Sequence, residues 1–148
     1  METALIAVAG TLLGAVVTHL FQGRAARRTA DLTRAEQLRQ ERISTYSAFA
    51  DAVVEYRRAQ NARWYRRNGS QAEATRMESY DRRATARQAL VRVQLLCEDP
   101  ALVAHAHRAF EVTHCMHRAE DETDRERRST EAVEALAAFI DAAAPTVR

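Results

Sequence analysis

The sequence has no lysine: all 22 residues in the Lys+Arg count are arginine, against 20 acids, for a formal net charge of +2. So even a balance excludes a polycation that coats nucleic acid by bulk charge alone. Glycine is scarce at four residues, proline occurs only as Pro100 and Pro145, and aromatics make up 6% of the chain. Few breakers, few aromatics and thirty alanines exclude a turn-rich β fold and point to helix nearly throughout. Cys97 and Cys115 are the only cysteines, too few for a disulfide framework, and both sit in apolar helical settings that predict buried thiols in a reducing compartment. No Ser/His/Asp elbow, Gly-rich phosphate loop, HExxH or CxxC pair is present. Without such chemistry the expectation is a protein that is not an enzyme and carries no cofactor.

One long uncharged run stands out. Thr3 to Phe21 comprises 19 residues without a charge, nine of them strongly apolar. At the helical rise this spans about 28 Å, close to the ~30 Å of a bilayer core. Glu2 precedes it, while Arg24, Arg27 and Arg28 follow, which predicts a single-pass transmembrane helix over residues 3–21 with the following arginines in the cytoplasm. The positive charges come after the apolar run rather than before it, so no secretory signal is expected. The alternative is a buried bundle helix, which normally shows a polar stripe. Within the run, Gly10, Gly14 and Thr18 recur every four residues, the spacing of a small-residue face through which transmembrane helices associate.

The remainder, residues 22–148, reads as a cytoplasmic antiparallel helical bundle or hairpin, with helices over about 24–67, 71–98, 100–122 and 129–143. Ile43, Tyr46, Phe49, Val53, Tyr56 and Trp64 step by threes and fours, with a missed beat at Gln60. Asn68-Gly69 stops that helix, and the short "NGS" turn predicts an antiparallel neighbour. Met77, Tyr80, Ala84 and Val91 mark the expected inner face of the second helix, whose end "ALVRVQLLC" should be the most buried part. Asp99-Pro100 reads as N-cap and first helical position. The third helix buries Leu102, Ala106, Ala109, Val112, Thr113 and Met116. The charge run "EDETDRERRS" at Glu120–Ser129 is a loop or a solvated helical stretch. A last helix, capped by Ser129 or Thr130, turns Val133, Leu136, Ala137 and Ile140 inward. Residues 22–67 carry a net +6 and residues 98–141 a net −6, which favours docking one half on the other.

Two clusters invite a chemical reading. "HAHRAFEVTHCMH" holds four of the five histidines, and His107, Glu111 and His114 share one helical face. A di-metal bundle needs a second Glu-x-x-His pair and further inward glutamates, so a solvated histidine face is expected and no metal site is assigned. "YRRAQNARWYRRNG" mixes Arg57, Arg58, Arg63, Arg66 and Arg67 with Tyr56, Trp64 and Tyr65, a mixture that nucleic-acid-binding segments share. The arginines spread around the helix, and Tyr56 and Trp64 belong to the core stripe. A solvated or internally paired face is therefore expected; Arg57, Arg58, Arg63, Trp64, Arg66 and Arg67 are kept as a candidate interaction surface, with DNA binding as the alternative use.

The uncharged amino-terminal run, "RAEQLRQERISTYSAFADAVVEYRRAQNARWYRR", "ESYDRRATARQALVRVQLLCEDPALVAHA" and "ALAAFIDAAAPTVR" together resemble small actinobacterial proteins of the KilB-like type, associated with the spread of conjugative plasmids. The resemblance implies helical architecture and a membrane address, and supplies no functional residues. The resulting expectation is a non-enzymatic, membrane-anchored helical scaffold in plasmid spread or a membrane-associated complex. Its partners would be the membrane and a second copy or another protein. Self-association is expected through the Gly10/Gly14 face or through Tyr46, Phe49 and Trp64.

Overall fold

A computed structural model describes the side chains of residues 31–148. Helix α1 is Glu2–Tyr65, α2 Ala72–Leu96, α3 Pro100–Cys115 and α4 Glu122–Ala143, with short 3-10 turns at Met116–Arg118 and Ala144–Val147. No strand occurs among the described residues. The chain divides into two units, Met1–Leu38 and Arg39–Arg148. In the first, the described residues 31–38 are all exposed, Leu32 and Leu38 included.

The second unit holds the core. Tyr46, Phe49, Val53 and Tyr56 of α1 meet Ala86, Leu90 and Val93 of α2, Leu102, Ala106, Ala109 and Phe110 of α3, and Ala135, Leu136, Phe139 and Ala143 of α4. Small alanines alternate with large rings, so the helices approach closely while the rings fill the space between them. Phe139 lies edge-on to Phe49 and Tyr46, with centroids 4.9 and 5.9 Å away. At the other end, Tyr56 stacks at a tilt on Phe110.

Polar contacts give the directions of the helices. Arg57 meets Ser129, Asn61 accepts from Arg125 and Tyr65 donates to Glu122, so α4 runs antiparallel to α1. Tyr56 lies against Phe110 and the Trp64 indole N–H donates to the Ala119 carbonyl, so α3 runs with α1. Between α1 and α2, Gly69 N donates to Arg66 O and Ala72 N to Gly69 O, and the chain comes back far enough for Ser79 to bond Gln60.

Several expectations change. The transmembrane helix over residues 3–21, and with it the single-pass architecture and the cell-membrane address with a cytoplasmic C-terminal region, is corrected. Among the described residues no helix is long and apolar enough to cross a membrane. Each described helix carries charged side chains that oppose insertion. The segment 3–21, its Gly10, Gly14 and Thr18, and the flanking Arg24, Arg27 and Arg28 lie outside the described residues. What stands is an all-helical architecture with no membrane span assigned. Tyr46, Phe49 and Trp64 are buried and not offered to a partner.

Helix α3 ends at Cys115 rather than near 122, and α4 begins at Glu122 rather than 129. The charge run is helical because Asp121 caps it, its Oδ1 accepting from Asp124 N at 2.8 Å. Asp124 then accepts from Arg127 and Arg128 one turn on. In α4 it is Arg125, Ala132, Ala135, Leu136, Phe139 and Ala143 that are buried, while Val133, Ala137 and Ile140 are exposed. In α2 the buried set is Thr75, Ser79, Ala86, Leu90 and Val93. Cys97 and Cys115 are half-buried free thiols.

Candidate functional site

The missed beat at Gln60 is the centre of a buried polar network. Gln60 is 2% exposed. Its Nε2 donates to the carbonyls of Thr113 and His114, at 3.3 and 3.0 Å, and lies 3.3 Å from the Tyr56 hydroxyl. Carbonyl oxygens only accept, so they fix the amide orientation and leave Oε1 to accept from Ser79 Oγ at 3.0 Å. The Tyr56 oxygen can accept only a shared Gln60 N–H, since the amide has two protons for three acceptors, and its own proton is free to bond His114 Nδ1, 2.9 Å away. That arrangement places the neutral His114 proton on Nε2. Burial pushes the Tyr56 hydroxyl up to about 12 despite nearby Arg83 and Arg63. Burial also lowers the pKa of His114, reinforced by Arg83, His117 and Arg118 and opposed by Glu111.

Above this network lies a cleft of about 270 Å³, lined by Tyr56, Arg63, Ser79, Tyr80, Arg83, His114 and His117. Arg63 comes from α1, Arg83 from α2, and the two imidazoles from the end of α3 and the turn after it. Arg63 sits over the Tyr80 ring, 5.6 Å from its centroid. The imidazoles lie 5.0 Å apart, with His117 Nδ1 bonded to the His114 carbonyl. No carboxylate lines the cleft.

The candidate surface of Arg57, Arg58, Arg63, Trp64, Arg66 and Arg67 is not brought together as one face. Arg57 reaches Ser129 on α4, and Arg58 pairs with Glu55 within α1. Arg63 turns into the cleft. Arg67 stacks 3.8 Å over the Trp64 ring and donates to the Trp64 carbonyl, while Arg66 is exposed. Trp64 is buried against this end of the bundle, where Arg125 also lies 5.5 Å from its ring. The histidines disperse too. His107 bonds Gln94 of α2 at 2.8 Å, whereas His114 and His117 line the cleft.

The chain matches the family described as KilB plasmid transfer protein over residues 43–147. It belongs to the KilB plasmid transfer protein family. No curated protein and no solved structure matches it. The family match begins where the core stripe of α1 begins and runs through α2, α3 and α4, so it covers the cleft entirely.

In this KilB-family fold, sequence reasoning missed two features. One is the cleft, whose arginines are adjacent only in space. The polar residues Gln60, Ser79 and Thr113, each at a core-facing helical position, were the signal that could have found it. The other is the outer face of α2. Met77, Tyr80 and Val91 were expected inward, yet they are 50%, 45% and 45% exposed, and Leu95 is 83% exposed. Together with Ala84 they make an apolar stripe along one side of a 25-residue helix.

Proposed function

We propose that this KilB-family chain works in plasmid transfer without catalysing a reaction, as a helical interaction protein that assembles by pairing with a second copy along the outer face of α2. The exposed stripe Met77, Ala84, Val91 and Leu95, joined at its edge by the half-exposed Tyr80, supports this reading above all. Exposed apolar side chains in heptad-like register are the usual material of a helix–helix seam. The charges of α2 select the partner. From Ala72 to Asp81 there are three acids and one arginine, and from Arg82 to Leu96 four arginines and no acid. An antiparallel second copy sets the acidic half of one helix beside the basic half of the other, while a parallel copy opposes like charges. A two-fold axis level with Ala86 also brings Met77 opposite Leu95 and Ala84 opposite Gln88, as a self-complementary interface requires. A single helix face is small beside the ~800 Å² per partner of a standard interface, so dissociation is expected at micromolar concentration.

Sedimentation of the full chain over a concentration series tests the reading. The wild type is expected to pass from monomer to dimer. Leu95→Arg should stay monomeric, and Val133→Arg on exposed α4 surface should dimerise as the wild type does. A monomeric wild type throughout, or a Leu95→Arg dimer of unchanged strength, overturns it. A monomer that takes up duplex DNA with a steep salt dependence would put the Arg57–Arg67 reading in its place.

A further inference from the structure

We propose that the cleft between α1, α2 and the end of α3 is a binding site for a small phosphate-class oxyanion, either inorganic phosphate or the phosphate group of a monoester. Four basic side chains converge there, Arg63 from α1, Arg83 from α2, and His114 and His117 from the end of α3 and the turn after it, with Tyr56, Ser79 and Tyr80 completing the lining. Among the described residues, neither arginine has a carboxylate partner within ion-pair distance; Arg57, Arg66, Arg67, Arg87, Arg92 and Arg118 share that state, but only Arg63 and Arg83 meet in one cleft with two imidazoles. Guanidinium groups gathered without acids, in a concave and half-buried place, leave uncompensated positive potential, and an oxyanion is the complement that also accepts several N–H bonds at once.

The supporting layer is already rigid. The tyrosine–glutamine–serine network beneath the cleft fixes the His114 ring and leaves Nε2–H as its remaining donor. Arg63 is held over the Tyr80 ring. Positioned donors of this kind lose little entropy when a ligand arrives. About 270 Å³ admits a phosphate or a small monoester. It does not admit a duplex, whose phosphates need an extended basic track.

The groups facing His114 are Tyr56 and Arg63 from α1, Tyr80 and Arg83 from α2, and Glu111, His117 and Arg118 from its own segment. Glu111 is the one acid among them, and it is exposed. A bound dianion would offset the surrounding cations, so His114 should titrate at higher pH when the ligand is present. By linkage, the His114 contribution to binding a given ionisation state of the phosphate should grow as pH falls through the His114 transition.

The test uses the full chain with inorganic phosphate, a nucleoside 5′-monophosphate, anionic phospholipid vesicles and duplex DNA, each at matched ionic strength with chloride as control. Binding is read by calorimetry and by the imidazole resonances. Saturable one-to-one phosphate binding is expected, with His114 titrating higher in phosphate than in chloride. Arg83→Gln and Arg63→Gln should each weaken binding at least tenfold, Arg83→Lys less, and Arg58→Gln not at all. A monophosphate that binds tenfold tighter than phosphate assigns the site to a monoester, and equal binding assigns it to the free ion. Failure of both small ligands to bind, binding that ignores Arg63 and Arg83, or binding only to vesicles or DNA overturns the proposal. The Leu95→Arg protein should bind phosphate as well as the wild type, so failure of α2 pairing and failure of this site read out separately.

Discussion

Gln60 interrupts an apolar stripe, and its burial is tolerated because every polar atom of the amide has a partner. Replacing it by Leu leaves Ser79 Oγ without its partner in the interior and takes one bond each from the Thr113 carbonyl, the His114 carbonyl and the Tyr56 hydroxyl, which keep Met116 N–H, His117 Nδ1 and His114 Nδ1. One orphaned buried hydroxyl at about 1–3 kcal/mol, together with the three lost secondary bonds, should outweigh the gain from an apolar side chain. Urea unfolding of Gln60→Leu should therefore show a loss of at least ~1 kcal/mol, and a stability equal to the wild type would mean that the network is idle. Tyr56 gives the network a pH signature. Its folded pKa of about 12 stands above the ordinary value of 10.0, so the folded state holds the proton longer. Its contribution is complete below pH 10 and is lost as pH rises toward 12. Tyr56→Phe should be less stable at neutral pH and show a flatter decline across that alkaline window. Denaturation midpoints at several pH values measure both effects.

At the scale of the element, α4 shows how a charge run becomes a helix. Asp121 caps it and Glu122 lies in its first turn, where the helix dipole favours negative charge. Asp124 gathers bonds from Arg128, Arg127 and the Glu120 backbone, which hold its carboxyl down at about 2. Asp121→Ala should cost about 1 kcal/mol, read by chemical denaturation. The Asp124 contribution should be present above its ordinary value of 3.8 and fade as pH falls through about 2, a slope that Asp124→Asn should lack. The i,i+3 and i,i+4 pairing of acids with arginines was legible in the sequence and favours the solvated helical stretch over the loop, the two readings open for this run; only the start of the last helix was set too late. α2 misleads for a different reason. It has an apolar stripe on each side, and the core takes the one that includes Thr75 and Ser79. Thr75 can be buried because its hydroxyl bonds the Gln71 and Ala72 carbonyls, and Ser79 because it bonds Gln60. Hydrophobicity alone cannot choose between two such faces, since the deciding bonds are made partly by another helix. In α1 and α3 a single apolar face exists, so Tyr46, Phe49, Val53, Tyr56, Leu102, Ala106 and Ala109 were legible directly.

Across the whole molecule, opposite charge on the two halves is a weaker organiser than the sequence suggests. Arg57 of α1 finds a serine hydroxyl on α4, and Arg125 of acidic α4 reaches back to Asn61. Arg108–Glu131 joins α3 to α4 at the surface, where such pairs contribute roughly 0–1 kcal/mol. Cohesion of the unit Arg39–Arg148 rests instead on one continuous core, from Phe139 under Tyr46 and Phe49 to Phe110 under Tyr56. If that core is one cooperative body, damage at one end must be felt at the other. Phe139→Ala empties a fully buried site and should cost about 3–5 kcal/mol. Trp64, the only tryptophan, lies beyond the opposite end, about 22 Å along α1 from Phe49. Its fluorescence transition in denaturant should move to lower concentration by the same amount as the helical circular dichroism, with the slope unchanged. Agreement of the two probes in the wild type and in Phe139→Ala marks a single folding unit. If Trp64 keeps its wild-type midpoint while the ellipticity falls early, the Trp64 end folds independently and the continuous core is not what holds the helices together.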